Sequence, residues 1–439
     1  MKNTKSLNQL LKSSLYLSLL TLLGTASISS QAAIDINSSK GAARDIQLIE
    51  INPSKLPEIK GKAYADYSLQ VVNAEGKLAP IPFQFDERNT LGLHHVKGGG
   101  LATIGKENIF DAMDELVFMY RDAGIQATAE QKTTAGEVVS EIVLDDDGQL
   151  SYAYVLKGNS QRSDQDYANY DTSKHLFKSD RWSMQTDPDN VLIWTDHFID
   201  SFEGGTKTFA DVMKVRILAK VGFIKITLNN ENVVGKVVAL KNGPIRDILH
   251  IQAKVVVLGI PFLTMDVGME VSSGSFALPI SAAVPAAAKA IKAPILRASL
   301  DFTNMPEASF RTGTGPKEPF LANRKMSKEK EKLGLSKEEP WLAVNSKKGY
   351  DGVLMIRSNE ESLKKGLSLT GFVADTDEEN EPERFPGTGP ELGFNITDMP
   401  PGDSVSFIIT LFHVEKMWFD NTPEDFVHAL LAPPAVSVN

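Results

Sequence analysis

The residues best suited to chemistry are gathered between Tyr167 and His197, where the alternation of apolar and polar residues is poor. Aromatic faces stack on sugar rings, and a guanidinium group binds a carboxylate with two parallel hydrogen bonds. Histidine and tyrosine are common acid–base groups where a proton must leave a carbon beside a carboxylate. The region therefore predicts a binding or catalytic site, with its polar and aromatic members Tyr167, Tyr170, His175, Arg181, Trp182, Trp194, Asp196 and His197.

Each of these residue types suggests a role. We predict that His197 or Tyr170 abstracts a proton while Arg181 or Arg246 holds an acidic sugar. The residues predicted to contact the ligand are Trp182, Trp194, Tyr167 and His175. A structural alternative stays open, in which Trp194 and Phe198 are core residues of a strand whose other side is solvated.

A second candidate group follows the turn Asn242-Gly243-Pro244. A strand with a period of two residues places Arg246, Ile248 and His250 on one face, and the isoleucine indicates that this face is partly buried. Arg246 and His250 are therefore further catalytic candidates. The alternative is a plain turn in which the proline sets the backbone, and the sequence does not decide between them.

Metal binding has weaker support. Neighbouring side chains of a strand point to opposite faces, so His94 and His95 could share one metal only within a loop. The acidic runs Asp145–Asp147 and Asp375–Glu383 could hold calcium, but neither has the spacing of a calcium-binding loop. We predict no metal site and no cofactor, with calcium as the open alternative.

Composition excludes several classes of function. The chain has 439 residues with a formal net charge of -10 and no dense basic patch, so nucleic acid is not expected as a partner. It also lacks a phosphate-binding glycine loop, a zinc-binding histidine pair on a helix and a G-x-S-x-G nucleophile elbow.

The first 32 residues read as a cleaved signal peptide. Lys2, Lys5 and Lys12 precede an apolar run, Leu15–Leu23, that is too short to cross a bilayer. Small residues before the cut favour cleavage after Ala32, with cleavage after Ala33 as the alternative. Cleavage changes the net charge from -10 to -13 because three lysines and no acidic residue are removed. The alternative is a buried N-terminal helix.

The chain contains no cysteine, which excludes disulfides, a lipid-modified cysteine anchor and a thiol nucleophile. No later segment is apolar enough to span a membrane. We therefore predict a soluble mature protein in the periplasm or outside a Gram-negative-type cell.

The segment from Lys207 to Val271 is the element around which the rest is organised. Apolar residues recur at every second position, which is the period of a strand with one buried side. Turn residues at Asn229-Asn230 and at Asn242-Gly243-Pro244 join these strands in sequence order. The expected fold is mainly β, a large antiparallel β-sandwich with a few short helices.

Two later segments depart from this pattern. Ala277–Leu296 is rich in alanine and proline, and we predict a short helix over Pro285–Lys292 that caps a sheet or contacts a membrane surface. Pro423–Leu431 predicts a terminal helix. Residues 33–439 form the expected sandwich body, with a division near 277–340 into a main sandwich and a smaller C-terminal β portion as an option.

Three segments carry a resemblance to known proteins: Pro80–Asn89 (PIPFQFDERN), Asp111–Gly124 (DAMDELVFMYRDAG) and Asn242–His250 (NGPIRDILH). In this order they resemble a pattern in poorly characterised secreted bacterial proteins. Some of those are similar to the large β-sandwich of galactose-mutarotase-like and polysaccharide-lyase domains. The resemblance implies the fold and a carbohydrate ligand, and it carries over no catalytic residue.

The predicted function is that of an exported protein that binds or processes glycans, with an acidic polysaccharide as the expected substrate class. One alternative is a noncatalytic cell-envelope protein that binds a partner protein or lipid through its sheet and the Ala/Pro-rich segment. Another is a metal-dependent hydrolase around His94 and His95. Whether the protein is an enzyme is left open by the sequence.

Overall fold

The structure is a computed structural model of the chain and describes residues 34–204, 208–322, 333–375, 390–419 and 422–439. The predicted signal peptide and almost all of the second acidic run lie outside these ranges. Within them, no helix combines the length and apolar character that crossing a membrane needs.

The helices of the described residues are short. The α-helices are α1 (Ser39–Asp45), α2 (Ala129–Ala135), α3 (Glu360–Lys364) and α4 (Glu424–Leu431). Single 3-10 turns lie at Tyr64–Asp66, Tyr120–Asp122, Asn230–Asn232 and Ala286–Ala290. Helix α4 confirms the predicted terminal helix.

Strands make up most of the described chain. In the first part they are β1 (Leu48–Ile51), β2 (Tyr67–Val72), β3 (Leu78–Pro80), β4 (Gln84–Asp86), β5 (Glu115–Met119), β6 (Glu137–Asp146), β7 (Gln149–Lys157), β8 (Ala168–Asp171), β9 (Leu176–Ser179), β10 (Trp182–Thr186), β11 (Trp194–Ile199), β12 (Thr208–Val221) and β13 (Ile224–Leu228). The later strands are β14 (Val234–Lys241), β15 (Arg246–Val257), β16 (Ile260–Ser272), β17 (Ser275–Val284), β18 (Ile291–Phe302), β19 (Ser309–Thr312), β20 (Phe320–Leu321), β21 (Trp341–Asn345), β22 (Asp351–Ser358), β23 (Ser368–Asp375), β24 (Pro390–Thr397), β25 (Asp403–Val414) and β26 (Ala435–Val438).

Two large antiparallel sheets form the body. Sheet 1 has the order β23-β24-β18-β12-β11-β10-β9-β8, with β13 paired to β12. Sheet 2 has the order β14-β15-β16-β17-β25-β22-β21-β19-β20. Inner side chains of both sheets form one apolar core. The predicted fold class, a mainly β protein with a large antiparallel sandwich, is confirmed.

The two-residue period explains which side chains enter this core. Val215 and Ile217 of β12 and Leu249 and Ile251 of β15 are buried in it. Each such side chain contributes roughly 1.5–3 kcal/mol when fully removed from water. The alternate residues of β15 face away from the core, and Arg246 is one of them.

A smaller unit, the N-terminal module, lies against the outer face of sheet 2. It contains the sheet β1-β5-β4 and the sheet β26-β6-β7-β2-β3, with a separate apolar core between them. Its strand β26 comes from the other end of the chain and pairs with β6. The module covers the start of β15 through contacts such as that of Gln84 with Arg246.

The short helix predicted over Pro285–Lys292 is present in part, as the 3-10 helix Ala286–Ala290, but the expectation that Ala277–Leu296 as a whole departs from the sheet is wrong. Residues 275–284 form β17 and residues 291–302 form β18, so only the short 3-10 turn between them departs from the sheet. Pro279 is tolerated inside β17 because the β16–β17 pairing is interrupted there, and the proline ring lies against Gly268. The suggested chain division near 277–340 stays a prediction.

Candidate functional site

A polar cleft lies between the N-terminal module and the outer face of sheet 2. Its volume is about 230 Å³. That is below the roughly 300–1,000 Å³ of pockets for drug-sized ligands, so the cleft suits a small unit such as one sugar residue. The polar side chains that line it are Gln47, Glu50, Arg88, His94, Arg246, Glu270, Ser272, Ser275, Arg357 and Thr410.

Arg246 is the central residue of the cleft floor. It is the first residue of β15, and the Gln84 side-chain oxygen accepts hydrogen bonds from the backbone N–H of both Ile245 and Arg246, at 3.0 and 3.0 Å. Its Nε donates to Asp86 at 2.8 Å, and its Nη1 donates to Glu50 at 2.7 Å. Two different strands of the N-terminal module, β4 and β1, therefore hold this guanidinium in one orientation.

Asp86 is the counter-ion beneath Arg246 and is completely buried. Its carboxylate also accepts a hydrogen bond from Lys241 Nζ at 2.7 Å and from the Gln84 amide at 2.8 and 2.9 Å. Burial acts to raise the pKa of Asp86, but Lys241 and Arg246 outweigh it and hold the pKa well below its usual range. The carboxylate is therefore charged whenever the protein is folded near neutral pH.

His94 lies next to this pair, and it is buried. Its Nδ1 is 2.5 Å from Glu270 Oε1, and its Nε2 is 2.9 Å from Arg246 Nη2 and 3.3 Å from Glu115 Oε2. In the neutral ring, Nδ1–H donates to Glu270 and Nε2 accepts from Arg246. Burial acts to lower the pKa of His94, and Glu270 outweighs it, so the net shift is upward.

The rim of the cleft carries the more accessible charges. Glu50 is 42% exposed, and Arg88 donates to Glu115 at 2.7 Å while 20% of its own side chain stays exposed. Arg357 of β22 is exposed at the opposite wall and forms no ion pair with any described residue. Burial by neighbouring groups lowers the pKa of its guanidinium, and Glu50 acts in the other direction.

An apolar strip completes the cleft. It is formed by Pro279 of β17 with Ile408 and Phe412 of β25, neighbouring strands of sheet 2. A ring lying on this strip would have polar edges within reach of Ser272 and Thr410. Sugar rings have this combination of an apolar face and hydroxylated edges, so the cleft matches a saccharide in both respects.

The arrangement is preorganised. The buried charges of the floor are paired with one another at hydrogen-bond distance; Asp86, Arg246 and Glu270 lie on strands, and His94 is held in its loop by an isolated bridge to Arg88. The rim group Arg357 is exposed, and Glu50 and Arg88, although ion-paired, keep part of their side chains accessible to a ligand. Such a site binds without a large reorganisation of its polar groups.

Most of the residues predicted between Tyr167 and His197 lie elsewhere. Trp182, Trp194 and His197 are almost completely buried between the two sheets, where His197 lies edge-on to Phe209 at 5.6 Å. Burial lowers the pKa of His197 to about 3, so the ring is neutral. These positions agree with the structural alternative, in which the tryptophans are core residues.

The other five residues of that region also have structural roles or lie in solvent, and Asp196 is exposed with a φ of 53°. Tyr170 stacks on Phe177 in the core, at 4.1 Å between ring centroids. Tyr167 is buried and donates to Asp122 at 2.7 Å. His175 occupies a left-handed turn position with a φ of 53°. Arg181 forms ion pairs with two acidic residues, Asp45 and Glu415.

The structure therefore corrects the prediction of one site made from residues 167–197. Neither His197 nor Tyr170 reaches the cleft, and a proton-abstracting role does not fit their buried positions. Of the residues predicted to form the site, only Arg246 lines the cleft. His250 shares a strand face with Arg246, as predicted, but it lies beneath the Gly99 backbone with its Nε2 3.0 Å from Asp266.

The acidic runs do not form a calcium site in the part that is described. Asp146 is paired with Arg44 at 2.9 Å and with Lys40 at 3.0 Å, which occupies its carboxylate. Among the described residues, no group of three or more histidine and acidic side chains has the geometry of a metal site. His94 and His95 do not share a ligand position, since His94 is engaged by Glu270.

Sequence reasoning overlooked Glu50, Arg88, Glu115, Glu270 and Arg357. A usable signal did exist, because the three segments that carried the family resemblance meet here. The first segment supplies Asp86 and Arg88, the second supplies Glu115, and the third supplies Arg246.

No protein-family model matches the sequence, and no curated protein matches it either. Solved structures with partial similarity include an α-mannosidase from Enterococcus faecalis V583, at 11% identity and a TM-score of 0.44, over 89% of this chain and 44% of that one. The chain thus spans less than half the length of that mannosidase.

Two further neighbours belong to the groups named by the sequence resemblance. A galactose 1-epimerase from Lactobacillus acidophilus NCFM has 8% identity and a TM-score of 0.34, over 64% of this chain and 99% of that one. A heparan sulfate lyase from Pedobacter heparinus has 8% identity and a TM-score of 0.30, over 60% of this chain and 38% of that one. Similarity at this level transfers no residue role.

Proposed function

We propose that the protein binds glycans, and that its cleft holds one acidic sugar residue of a saccharide chain. The observation that carries the proposal is the pairing of an apolar strip with a rim of guanidinium and carboxylate groups in a cleft of about 230 Å³. An apolar ring face fits the strip, and ring hydroxyls fit the paired charges. A purely apolar ligand would leave those charges desolvated.

Arg357 is the group proposed to select the acidic sugar. Arg246 is fully engaged by its carboxylate neighbours, whereas Arg357 has no ion-pair partner among the described residues. A guanidinium with free donors binds a carboxylate in a bidentate manner. Glu50, on the other side of the cleft, is proposed to accept hydrogen bonds from ring hydroxyls.

Processing of the bound glycan is a further part of the proposal. His94 and Glu270 form the acid–base pair that faces the cleft, in place of His197 and Tyr170. Arg246 holds the His94 ring and is proposed as a positioning residue.

The test is calorimetric titration of the protein with matched oligosaccharides that contain uronic acid or the corresponding neutral sugar. We expect tighter binding of the acidic series and a loss of about 10- to 150-fold for Arg357→Ala, which is the value of a hydrogen bond between charged groups. Lys236→Ala, an exposed cation outside the cleft, is the control and leaves binding unchanged. Equal affinity for both series refutes the role of Arg357, and no binding of either series refutes the glycan proposal.

Export is proposed on the sequence of the first 32 residues alone. We expect the protein in the periplasmic or extracellular fraction, with Ala33 as its first residue. Recovery of the uncleaved chain from the cytoplasm would contradict this.

A further inference from the structure

The end of the sandwich farthest from the cleft has an unusual surface. Three connections meet there: the β12–β13 turn, the β15–β16 turn and the 3-10 turn between β17 and β18. Val221 of β12 pairs with Ile291 of β18, and Thr264 near the start of β16 pairs with Ala283 near the end of β17. We call the surface formed by residues 218–228, 254–264 and 284–297 the sandwich tip.

Large apolar side chains protrude from this tip. Phe223, in the β12–β13 turn, is fully exposed at 106%. Ile224 beside it is 59% exposed, and Leu258 in the β15–β16 turn is 63% exposed. Phe223 and Leu258 lie at the apices of two hairpins and rest on no neighbouring element that would bury them.

The tip is also strongly basic, in contrast to the rest of an acidic chain. Its three segments contain no aspartate or glutamate, and their basic residues are Lys220, Lys225, Lys254, Lys289, Lys292 and Arg297. The whole chain has a net charge of -10, so the charge of these three segments is opposite in sign to that of the chain as a whole. All five lysines are exposed, and none forms an ion pair with another described residue.

Three of these lysines face one another across neighbouring strands. Lys220 of β12 is the register partner of Lys225 on β13 and of Lys292 on β18. Directly opposite residues of an antiparallel pair project on the same side of the sheet, and like charges in that position destabilise the pairing. A row of three lysines is therefore unfavourable in the free protein and favourable against an anionic surface.

We propose that the sandwich tip docks on an anionic lipid membrane, with Phe223 and Leu258 entering the interfacial region and the lysine row contacting phosphate headgroups. Charge complementarity selects the anionic surface. The exposed phenylalanine and leucine select a lipid bilayer over a soluble polyanion, since only the bilayer offers an apolar phase for their side chains. This binding is independent of the proposed glycan site.

The experiment measures co-sedimentation of the purified protein with vesicles of phosphatidylcholine, with or without phosphatidylglycerol. We expect binding only to vesicles that contain phosphatidylglycerol. Replacing the row, Lys220→Gln with Lys225→Gln and Lys292→Gln, lowers the apparent affinity about 100-fold, at roughly fivefold per lysine. Phe223→Ser lowers it about tenfold.

The matched control removes the same charge from the N-terminal module, through Lys60→Gln, Lys62→Gln and Lys77→Gln, which are all exposed. It leaves vesicle binding within about twofold, and saccharide binding is unchanged in both triple variants. An equal loss in the control shows a general charge effect and overturns the proposal. Absence of vesicle binding, or association of the protein with itself through Phe223 in sedimentation velocity, also overturns it.

A second readout does not depend on comparing affinities. The four tryptophans Trp182, Trp194, Trp341 and Trp418 are buried, so Phe223→Trp introduces an exposed indole. Its emission shifts to shorter wavelength on addition of phosphatidylglycerol vesicles if the tip enters the bilayer. An unchanged emission maximum in the bound protein places the tip in water and contradicts the proposal.

Discussion

Replacement of Arg246 by methionine tests the charge network beneath the cleft. The change leaves Asp86, which is 0% exposed, with only Lys241 and the Gln84 amide as partners. Removing one partner of a buried ion pair costs about 3–5 kcal/mol, because the other charge stays desolvated. The contact with Glu50 adds less than about 1 kcal/mol, since that side chain is 42% exposed.

Urea unfolding followed by near-ultraviolet circular dichroism measures the change. We expect Arg246→Met to lower the free energy of unfolding by about 4 kcal/mol with an unchanged m-value. The double variant with Asp86→Leu removes both charges and is less destabilised than the sum of the single changes, with a coupling of at least about 2 kcal/mol. Lys174→Met breaks a solvent-exposed pair with Asp171 and is the control, which we expect to leave the urea midpoint almost unchanged.

The same network has a pH signature. The pKa of Asp86 is depressed in the folded protein, chiefly by Lys241 and Arg246 acting against burial. Its contribution to stability is therefore present above the unfolded pKa of roughly 4 and is lost as the pH falls. Arg246→Met reduces this acid-dependent part. A loss below about 1 kcal/mol, or strict additivity with Asp86→Leu, would refute the view that these charges hold one another in place.

Three further outcomes are expected. Burial lowers the pKa of His197 to about 3, so the stability that the neutral ring contributes is present above the unfolded pKa of roughly 6.5. It is lost as the pH falls toward 3, by up to about 1.4 kcal/mol per pH unit. His197→Phe is expected to flatten the pH dependence of the unfolding free energy between these two values, and an unchanged pH profile contradicts this. Gly393→Ala brings a methyl group against the backbone of Ala298 in β18 and destabilises the protein by about 1–3 kcal/mol in thermal unfolding. Gly334→Ala, whose methyl group meets only Thr314 Oγ1 at an ordinary contact distance of 3.7 Å, has no such effect. Deletion of residues 435–439 removes β26 from the edge of β6. We expect faster hydrogen exchange of the β6 amides in the deletion variant, with the exchange of the β12 amides unchanged. If the deletion changes the exchange of neither strand, β26 does not protect β6.

The large sheets could be predicted because their signal is local. Alternation along β12 and β15 assigns each side chain to the core or to the outer face, and the coordinates agree. The poor alternation between Tyr167 and His197, which hid the strands there, has a local cause as well. Strands β8, β9 and β10 have only four or five residues each, which is too short for a period of two to stand out.

The cleft could not be predicted because its partners are brought together over long separations. Arg246 and Asp86 are 160 positions apart in the chain. The position of Glu270 relative to Arg246 could not be predicted either, although both lie in one hairpin, because a β-bulge shifts the register between β15 and β16. Val257 pairs with Ile260 at the turn, but the register shifts between Val255 and Val256, so counting back from the turn puts Arg246 opposite Val271 instead of Ser272.

The C-terminal strand also constrains the order in which the protein can assemble. The module that forms one wall of the cleft begins with residues near position 34, yet its five-stranded sheet is completed by Ala435–Val438. During synthesis, β6 therefore stays an unpaired edge until almost the entire chain has been made. Closing a contact over such a separation is slow, and the waiting edge is open to pairing with other chains. This wall of the cleft is thus the part expected to mature last and to depend most on protection of the nascent chain.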